Sequence, residues 1–382
     1  MSRAIFEPAS GQRVPIQSWA STIHPETIRQ LQHIAGKQFV VDRVAAMADA
    51  HVADGISVGT VFATEGILVP GAIGGDLGCG MLALRLESDA PLPDRQALEL
   101  LLSGLERLVP AHNARTHGQA SEAAELLLAR PLSTSALNHT RNSVVPRHFA
   151  TLGGGNHFLE LDRDPEGGLW LLVHSGSRGM GGAIASHHVR AAGPPLGGLR
   201  ADTEAGQAFL HDLAWAMDFA RASRAEMADR ARSELERIVG ESILAGETID
   251  VPHNFVCKEH WSGRDLLIHR KGAVAAPSGG LALVPGSMGT ASYVVEGLGC
   301  ELAFGSCSHG AGRVMTRGEA RRRIDSRQLL HTLRHVVWPQ HRSRDLVEEA
   351  PDVYRDIRQV LEDQRDLVTR KVRLEPLAVW KG

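Results

Sequence analysis

Nine short polar segments, most of them dense in glycine, run from the first fifty residues to the last three. They are MADAH (47–51), GGDLGCG (74–80), LGGGNHFLE (152–160), VHSGSRGMG (173–181), PHNF (252–255), HRKG (269–272), VPGSMGTASY (284–293), SCSHGAGR (306–313) and the terminal WKG (380–382). Each lies at the end of an apparent strand. Glycine at this density lets backbone amides approach an anion and lets side chains from remote parts of the chain converge. A site built from such loops needs both flanks of the chain in one core.

The segments between the loops read as a mixed α+β chain. Apolar spacing predicts helices over Pro25 to Ala35, Pro93 to Val109 and Ser121 to Ala129. It also predicts one long or two consecutive helices over 203–239, one from a Ser326 cap to Trp338, and a last one over Val353 to Arg370. Gly-rich, β-branched runs at 56–63, 67–86, 169–176 and 264–270 predict short strands. No fixed-period repeat or long linker divides the 382 residues. The GPPLGG loop at 193–198 is the candidate boundary, but glycine-loop motifs lie on both sides of it. Residues 1–382 are therefore expected to form a single domain, with a helical insertion at about 203–240.

Composition narrows the setting. Hydrophobic residues make up 43% and the formal charge is −3, which excludes disordered and fibrous classes and argues against binding through bulk positive charge. Five of the 41 basic residues are lysine and 36 are arginine. Spread along the whole chain, they read first as codon bias and second as phosphate recognition. Four cysteines (79, 257, 300, 307) do not make a secreted disulfide framework, and MSRAIFEPASGQRVPIQ does not resemble a signal peptide. No apolar run is long enough to cross a bilayer. A soluble, cytoplasmic protein without a membrane partner is expected.

Nineteen histidines make imidazole chemistry the residue-level question. Asp76-x-x-Cys79 brings a carboxylate and a thiol onto one tight turn, a pairing suited to a borderline divalent ion. His157, His174 and His253 sit in polar loops beside Asn or Ser, which could hold the second ring nitrogen. A single loop histidine is more often a surface or capping residue; five such groups support a metal site without proving that they meet. SCSHGAGR puts an imidazole beside free amides and a guanidinium, which fits covalent nucleotidyl transfer. Taken alone, it reads first as a turn with an exposed histidine. GGGNH lacks the ending of a phosphate-binding P-loop. PGSMGTAS offers two hydroxyls, Ser287 and Ser292, to phosphate, ribose or base.

Read in order, NHFLE, HSGSRG, HRKGA, PGSMGTASY and SHGAGRVM resemble the signature blocks of the RtcB family, the GTP-dependent RNA ligases of tRNA splicing and RNA repair. The resemblance runs from about residue 43 to the end and implies a mixed fold with antiparallel sheets around a deep metal cleft. It implies a centre of two Mn²⁺ ions held by Asp76, Cys79, His157, His174 and His253, with Cys79 bridging. His309 matches the guanylylated histidine, and Asp49 an acidic residue placed against its ring. Asn156, His157, Phe158, Leu159, Glu160, His253, Asn254, Ser287, Ser292, Tyr354 and Lys381 match the guanosine and phosphate contacts. So do the loops Pro285, Gly286, Met288 and Gly310, Ala311, Gly312. Arg178 sits where the family binds RNA phosphate.

The activity so implied joins an RNA 3′-phosphate or 2′,3′-cyclic phosphate end to a 5′-hydroxyl end, with GTP as co-substrate, through guanylyl-histidine and an RNA-(3′)pp(5′)G intermediate. Ala48, Gly75 and Pro252 depart from the family's usual residues, and with the compact chain they point to a divergent bacterial paralogue. None removes a ligand or the nucleophile. The physiological RNA and any activating protein partner are left open. Two other readings use the same residues: a dinuclear metal phosphodiesterase or phosphatase without a covalent nucleotide, and a non-catalytic RNA-end-binding paralogue. The first has no use for the His309 loop or Lys381; the second should have lost a ligand or the nucleophile.

Overall fold

In the computed structural model, the described residues are 4–6, 13–111, 121–193 and 196–382. Pro194 and Pro195 of the 193–198 loop lie outside them. Two sheets carry the fold. The first orders its six strands Ala4–Phe6, Ile16–Ser18, Val40–His51, Val58–Thr64, Arg264–Lys271 and Asn254–Trp261, with one parallel pair, Ile16–Ser18 against Val40–His51. The second is antiparallel throughout: Leu244–Pro252, Gly80–Glu87, Leu169–Ser175, Phe158–Arg163, Val368–Lys381, Ser292–Gly297 and Leu281–Val284. This is the expected mixed α+β architecture.

Strand alternation decides which side chains reach the site. Leu159, Leu161, Leu171 and Val173 enter a core shared with Phe209, Leu213 and Phe219 of the helix Glu204–Val239. Phe158, Trp170 and Leu172 pack in a separate cluster. Successive residues of a strand point to opposite faces, so Glu160 and His174 share the face turned away from that helix. Phe158 is paired directly with His174 in the register.

The block expected at 203–239 is one helix, about 54 Å long at about 1.5 Å per residue. The Thr203 hydroxyl accepts from the Gly206 N–H at its start, and Gly240 ends it in the left-handed conformation. The helices expected at 25–35, 93–109 and 121–129 appear as Pro25–Ala35, Arg95–Leu108 and Glu122–Ala129.

Two expectations need correction. The helix expected to run from Ser326 to Trp338 is capped by Asp325 and stops at Thr332. Beyond it, Val337 exchanges backbone hydrogen bonds with Leu377 and Val379; Val336-Val337 is β-branched, and Pro339 disfavours helix at Trp338. The helix expected over Val353 to Arg370 is only Ile357–Asp363, followed by the 14-residue strand Val368–Lys381. Pro376 is incompatible with continued helix, and the alternation of Val372 and Leu374 with Lys371, Arg373 and Glu375 is that of a strand. Helices Ser135–His148 and Gly179–Ala192 have no counterpart in the sequence reading. The first has polar and apolar residues mixed around its axis and carries Pro146; the second begins inside a glycine motif. No described helix is long and apolar enough to cross a membrane.

Candidate active site

The strand ends gather five donors from four remote segments. Cys79 Sγ lies 3.4 Å from Nε2 of both His157 and His174. His174 Nε2 is 3.0 Å from His253 Nε2, and Asp76 Oδ2 is 3.1 Å from His157 Nε2. The donors fall into two groups, Cys79–His174–His253 and Asp76–Cys79–His157, with ligand atoms in each within 4.8 Å of one another. Cys79 belongs to both.

The surroundings aim these donors inward. His157 Nδ1 is 3.0 Å from the Leu152 carbonyl, and His253 Nδ1 is 3.3 Å from Asn254 Oδ1. Those acceptors hold the ring protons on Nδ1, which leaves each Nε2 lone pair facing the cluster. Asn254 in turn donates to the Asp76 carbonyl and accepts from the Gly272 N–H, tying together three glycine loops. Burial, and then the neighbouring rings of His253 and His157, hold His174 well below the ordinary imidazole range. Burial, and then the His309 ring, do the same to His253. Burial and the Asp76 carboxylate push the Cys79 thiol well up. Burial opposes ionisation of Asp76, but His157, Cys79 and the Arg178 charge together outweigh it and hold the carboxyl below its usual range. Three imidazoles, one carboxylate and a thiol that loses its proton to a cation form a donor set that fits a pair of borderline divalent ions.

His309 stands between this cluster and a pocket. Its ring centroid is 4.8 Å from that of His253. Its Nδ1 is 2.6 Å from Oδ2 of Asp49, which is fully buried in the strand Val40–His51. A carboxylate there accepts a hydrogen bond from Nδ1–H, which keeps the proton on Nδ1 and leaves the Nε2 lone pair free. Gly312, at φ +70°, lets the loop close on Asp49; a Cβ would lie 2.5 Å from the Asp49 carbonyl oxygen.

The pocket beyond His309 measures about 220 Å³. Fourteen residues expected at a nucleotide line it: Asn156, Phe158, Glu160, Pro285, Gly286, Ser287, Met288, Ser292, His309, Gly310, Ala311, Gly312, Tyr354 and Lys381. His157, His253 and Asn254 lie instead in the donor cluster, and Leu159 points into the core on the opposite face. Arg178 lies beside Gly153, donates to the Thr151 hydroxyl and caps the helix Gly179–Ala192 with φ +57°. A non-glycine residue held there stores local strain.

Several side chains that the sequence reading passed over organise this site. Glu349 is 1% exposed and is met by Arg313 Nη1 at 3.1 Å, Arg317 Nη2 at 3.4 Å, Lys381 Nζ at 3.0 Å and the Tyr354 hydroxyl. All five residues line the pocket. Burial would raise the Glu349 pKa, but Lys381 and its other partners hold it below the usual range. The only sequence signal was an acidic pair set among apolar residues in LVEEAPDVY. Arg224, in the helix Glu204–Val239, is 1% exposed. Its guanidinium grips Asp250 through Nε at 3.0 Å and Nη2 at 2.6 Å. Nη1 donates to the Gly78 carbonyl at 3.1 Å and the Ser175 carbonyl at 2.9 Å. Those carbonyls adjoin Cys79 and His174. An arginine in the apolar stripe of Leu213, Ala216, Ala220, Met227 and Ala231 was the sign to read. Asp162, two residues from Glu160, is fully buried with neither oxygen hydrogen-bonded among the described residues. Burial lifts its pKa to about 8, and burial together with Asp162 raises Glu160 as well.

The cleft thus has one wall fit to take cations and one fit to take an anion, with a pinned imidazole at their seam. That arrangement defines a class of site for phosphoryl-group chemistry. The family model described as "tRNA-splicing ligase RtcB" matches residues 30–382, and the chain belongs to that family. It is 32% identical to the RNA-splicing ligase RtcB of Escherichia coli K12 over 99% of this chain and 100% of that protein. It is 29% identical to the RNA-splicing ligase RtcB of Mycobacterium tuberculosis, over 92% of this chain and 100% of that one. The RNA-splicing ligase RtcB2 of another E. coli strain is 29% identical over 100% and 97% of the two chains.

Proposed function

We propose that this protein is a GTP- and Mn²⁺-dependent RNA ligase that joins 3′-phosphate or 2′,3′-cyclic phosphate ends to 5′-hydroxyl ends through a guanylyl-His309 intermediate. The observation that carries this reading is the Asp49–His309 pair at 2.6 Å, which turns a free Nε2 toward a pocket lined by Arg313, Arg317 and Lys381. Neither a plain phosphodiesterase nor an RNA-end-binding protein has a use for that nucleophile. Two divalent ions held by Asp76, Cys79, His157, His174 and His253 would neutralise phosphoryl oxygens and lower the pKa of the attacking groups.

The residues of the chain account for the transfer steps. His309 Nε2 attacks the α-phosphorus of GTP; the N–P bond forms and the bond to pyrophosphate breaks. Asp49 keeps the Nδ1 proton in place and stabilises the positive charge that the ring acquires. Arg313, Arg317 and Lys381 face the departing negative charge, and Glu349 fixes their positions before the nucleotide arrives. Ser287, Ser292 and Glu160 are placed to meet the sugar and base. A cyclic RNA end is first opened by water. The RNA 3′-phosphate then takes GMP from His309, and the incoming 5′-hydroxyl displaces GMP to close the phosphodiester. Arg178 would hold the RNA phosphate.

Residues 1–382 are read as one ligase domain with its helical insertion at about 203–240, acting in the cytoplasm, where a free cysteine ligand stays reduced. Incubation with Mn²⁺ and α-labelled GTP, followed by denaturing electrophoresis, tests the reading. The wild type should carry label and His309→Ala none; an unlabelled wild type, or label that survives the substitution, overturns it.

A further inference from the structure

Arginine is not evenly spread once charge is followed along the chain. Residues 313–344 contain nine arginines and two acidic residues, whereas the whole protein carries −3. The acidic residues, Glu319 and Asp325, serve local needs: Glu319 pairs with Arg323, and Asp325 caps Ser326–Thr332. This segment packs on the pocket. Ala320, Leu329, Leu333 and Trp338 share a core with Met288 of the pocket loop.

Its guanidinium groups lead outward from the site. Side-chain exposure rises from 15% at Arg313 to 41% at Arg317 and 64% at Arg321. Arg317 and Arg321, one helical turn apart in Arg317–Arg323, both reach Glu348. Arg317 also approaches Gly155 of the GGGN loop, and the Arg322 guanidinium folds back toward Gly318, beside Arg317. Arg322, Arg327 and Arg344 are exposed and have no ion-pair partner among the described residues.

Resting on the ligase reading, we propose that the surface of residues 313–344 is the track that binds the RNA backbone beyond the reacting end, with Arg321, Arg322, Arg327 and Arg344 contacting phosphates. The contacts carry no base information, so the track serves any RNA sequence. Segmental charge of this size also explains how a protein of net −3 holds a polyanion: attraction is confined to the mouth of the cleft.

The test compares Arg322→Glu/Arg327→Glu/Arg344→Glu with a charge-matched control, Arg29→Glu/Arg358→Glu/Arg365→Glu, both in the full chain. A fluorescent single-stranded RNA ending in a 3′-phosphate is titrated at several salt concentrations. The track variant should bind about tenfold or more weakly, and its log K against log salt slope should flatten by about 2, at ~0.7 per single-strand contact. The control should match the wild type. Equal binding by track variant and control, or an equal loss in both, overturns the proposal. Arg322→Gln/Arg327→Gln/Arg344→Gln, which adds no negative charge, should weaken binding in the same direction; wild-type binding by it overturns the proposal as well. Labelling with α-labelled GTP in the absence of RNA should be unchanged in all variants. An unlabelled wild type would defeat the ligase reading, while the RNA titration would still decide the surface.

Discussion

The two walls of the cleft solve opposite electrostatic problems. On one, a thiol, three imidazoles and the Asp76 carboxylate crowd together, and burial drives the His174 and His253 rings toward neutrality. On the other, three cations surround the buried carboxylate of Glu349. A cluster of neutral donors in a dry site gains most by taking a cation; a surplus of fixed cations gains most by taking an anion. His309 is pinned by Asp49 where both gains are felt. The difference teaches that each wall is incomplete by one charge type, and under the proposed function a metal–nucleotide complex would supply both.

Cys79→Ala should produce the largest effect, because Cys79 is the donor common to both groups. Titration of the wild type with Co²⁺ should give a thiolate-to-metal absorption band. The variant should show no such band, and labelling by α-labelled GTP should fall to background. A full adduct without Cys79 would separate the two walls and break the comparison.

Glu349→Gln probes the other wall. With the carboxylate gone, Arg313, Arg317 and Lys381 repel one another and lose their fixed positions. The guanylylation rate should fall about 100-fold, the scale of a misplaced catalytic group, while the half-saturating GTP concentration stays level or drops. Co²⁺ absorption should match the wild type. A rise in half-saturating GTP at an unchanged rate would mean that Glu349 binds nucleotide and does not hold the cations.

Arg224→Met asks whether the cation wall depends on the long helix. Breaking a buried pair leaves Asp250 and two carbonyls without their donor, at a cost of about 3–5 kcal/mol in stability. The specific expectation is weaker Co²⁺ binding at temperatures where circular dichroism shows the variant folded. Arg224→Lys, which can reach one carbonyl, should recover part of the affinity. Unchanged Co²⁺ affinity in the folded methionine variant would reduce Arg224 to a fold-stabilising residue.

The sequence exposed the site far better than the scaffold beneath it. Asp76, Cys79, His157, His174, His253 and His309 stood out because they sit in polar loops, most of them rich in glycine, and the fold brings them together. Strands next to those loops were legible for the same reason. Arg224 and Glu349 were not, because the roles of both depend on partners remote in sequence: Asp250, Gly78 and Ser175 for Arg224, and Arg313, Arg317 and Lys381 for Glu349. The terminal strand was misread because Val353 to Arg370 has a helical apolar spacing that tertiary pairing overrides: Val368–Lys381 gains hydrogen-bonded neighbours on both edges. Helix Ser135–His148 offers no one-sided apolar stripe, so periodicity had nothing to detect.

The smallest effect concerns the acidic residues beneath the nucleotide wall. Asp162 lies in an apolar layer with no hydrogen-bond partner among the described residues, and burial lifts its pKa to about 8. An unfolded aspartic acid titrates near about 3.9. The folded protein therefore holds a proton at neutral pH that the unfolded chain has released, and stability is greatest below the unfolded pKa and lost as pH rises toward 8. Asp162→Asn removes that proton exchange, so its unfolding free energy should fall less than that of the wild type between pH 5 and pH 8, by about 1.4 kcal/mol at most for each pH unit crossed, and its melting temperature should drop less accordingly. Glu160, also raised, retains part of the slope. Parallel melting curves across this range would show that Asp162 is ionised in the folded state. The strand that carries Glu160 to the pocket would then hold a buried negative charge in addition to that of Glu349, and the contrast with the donor cluster would be weaker than the geometry now indicates.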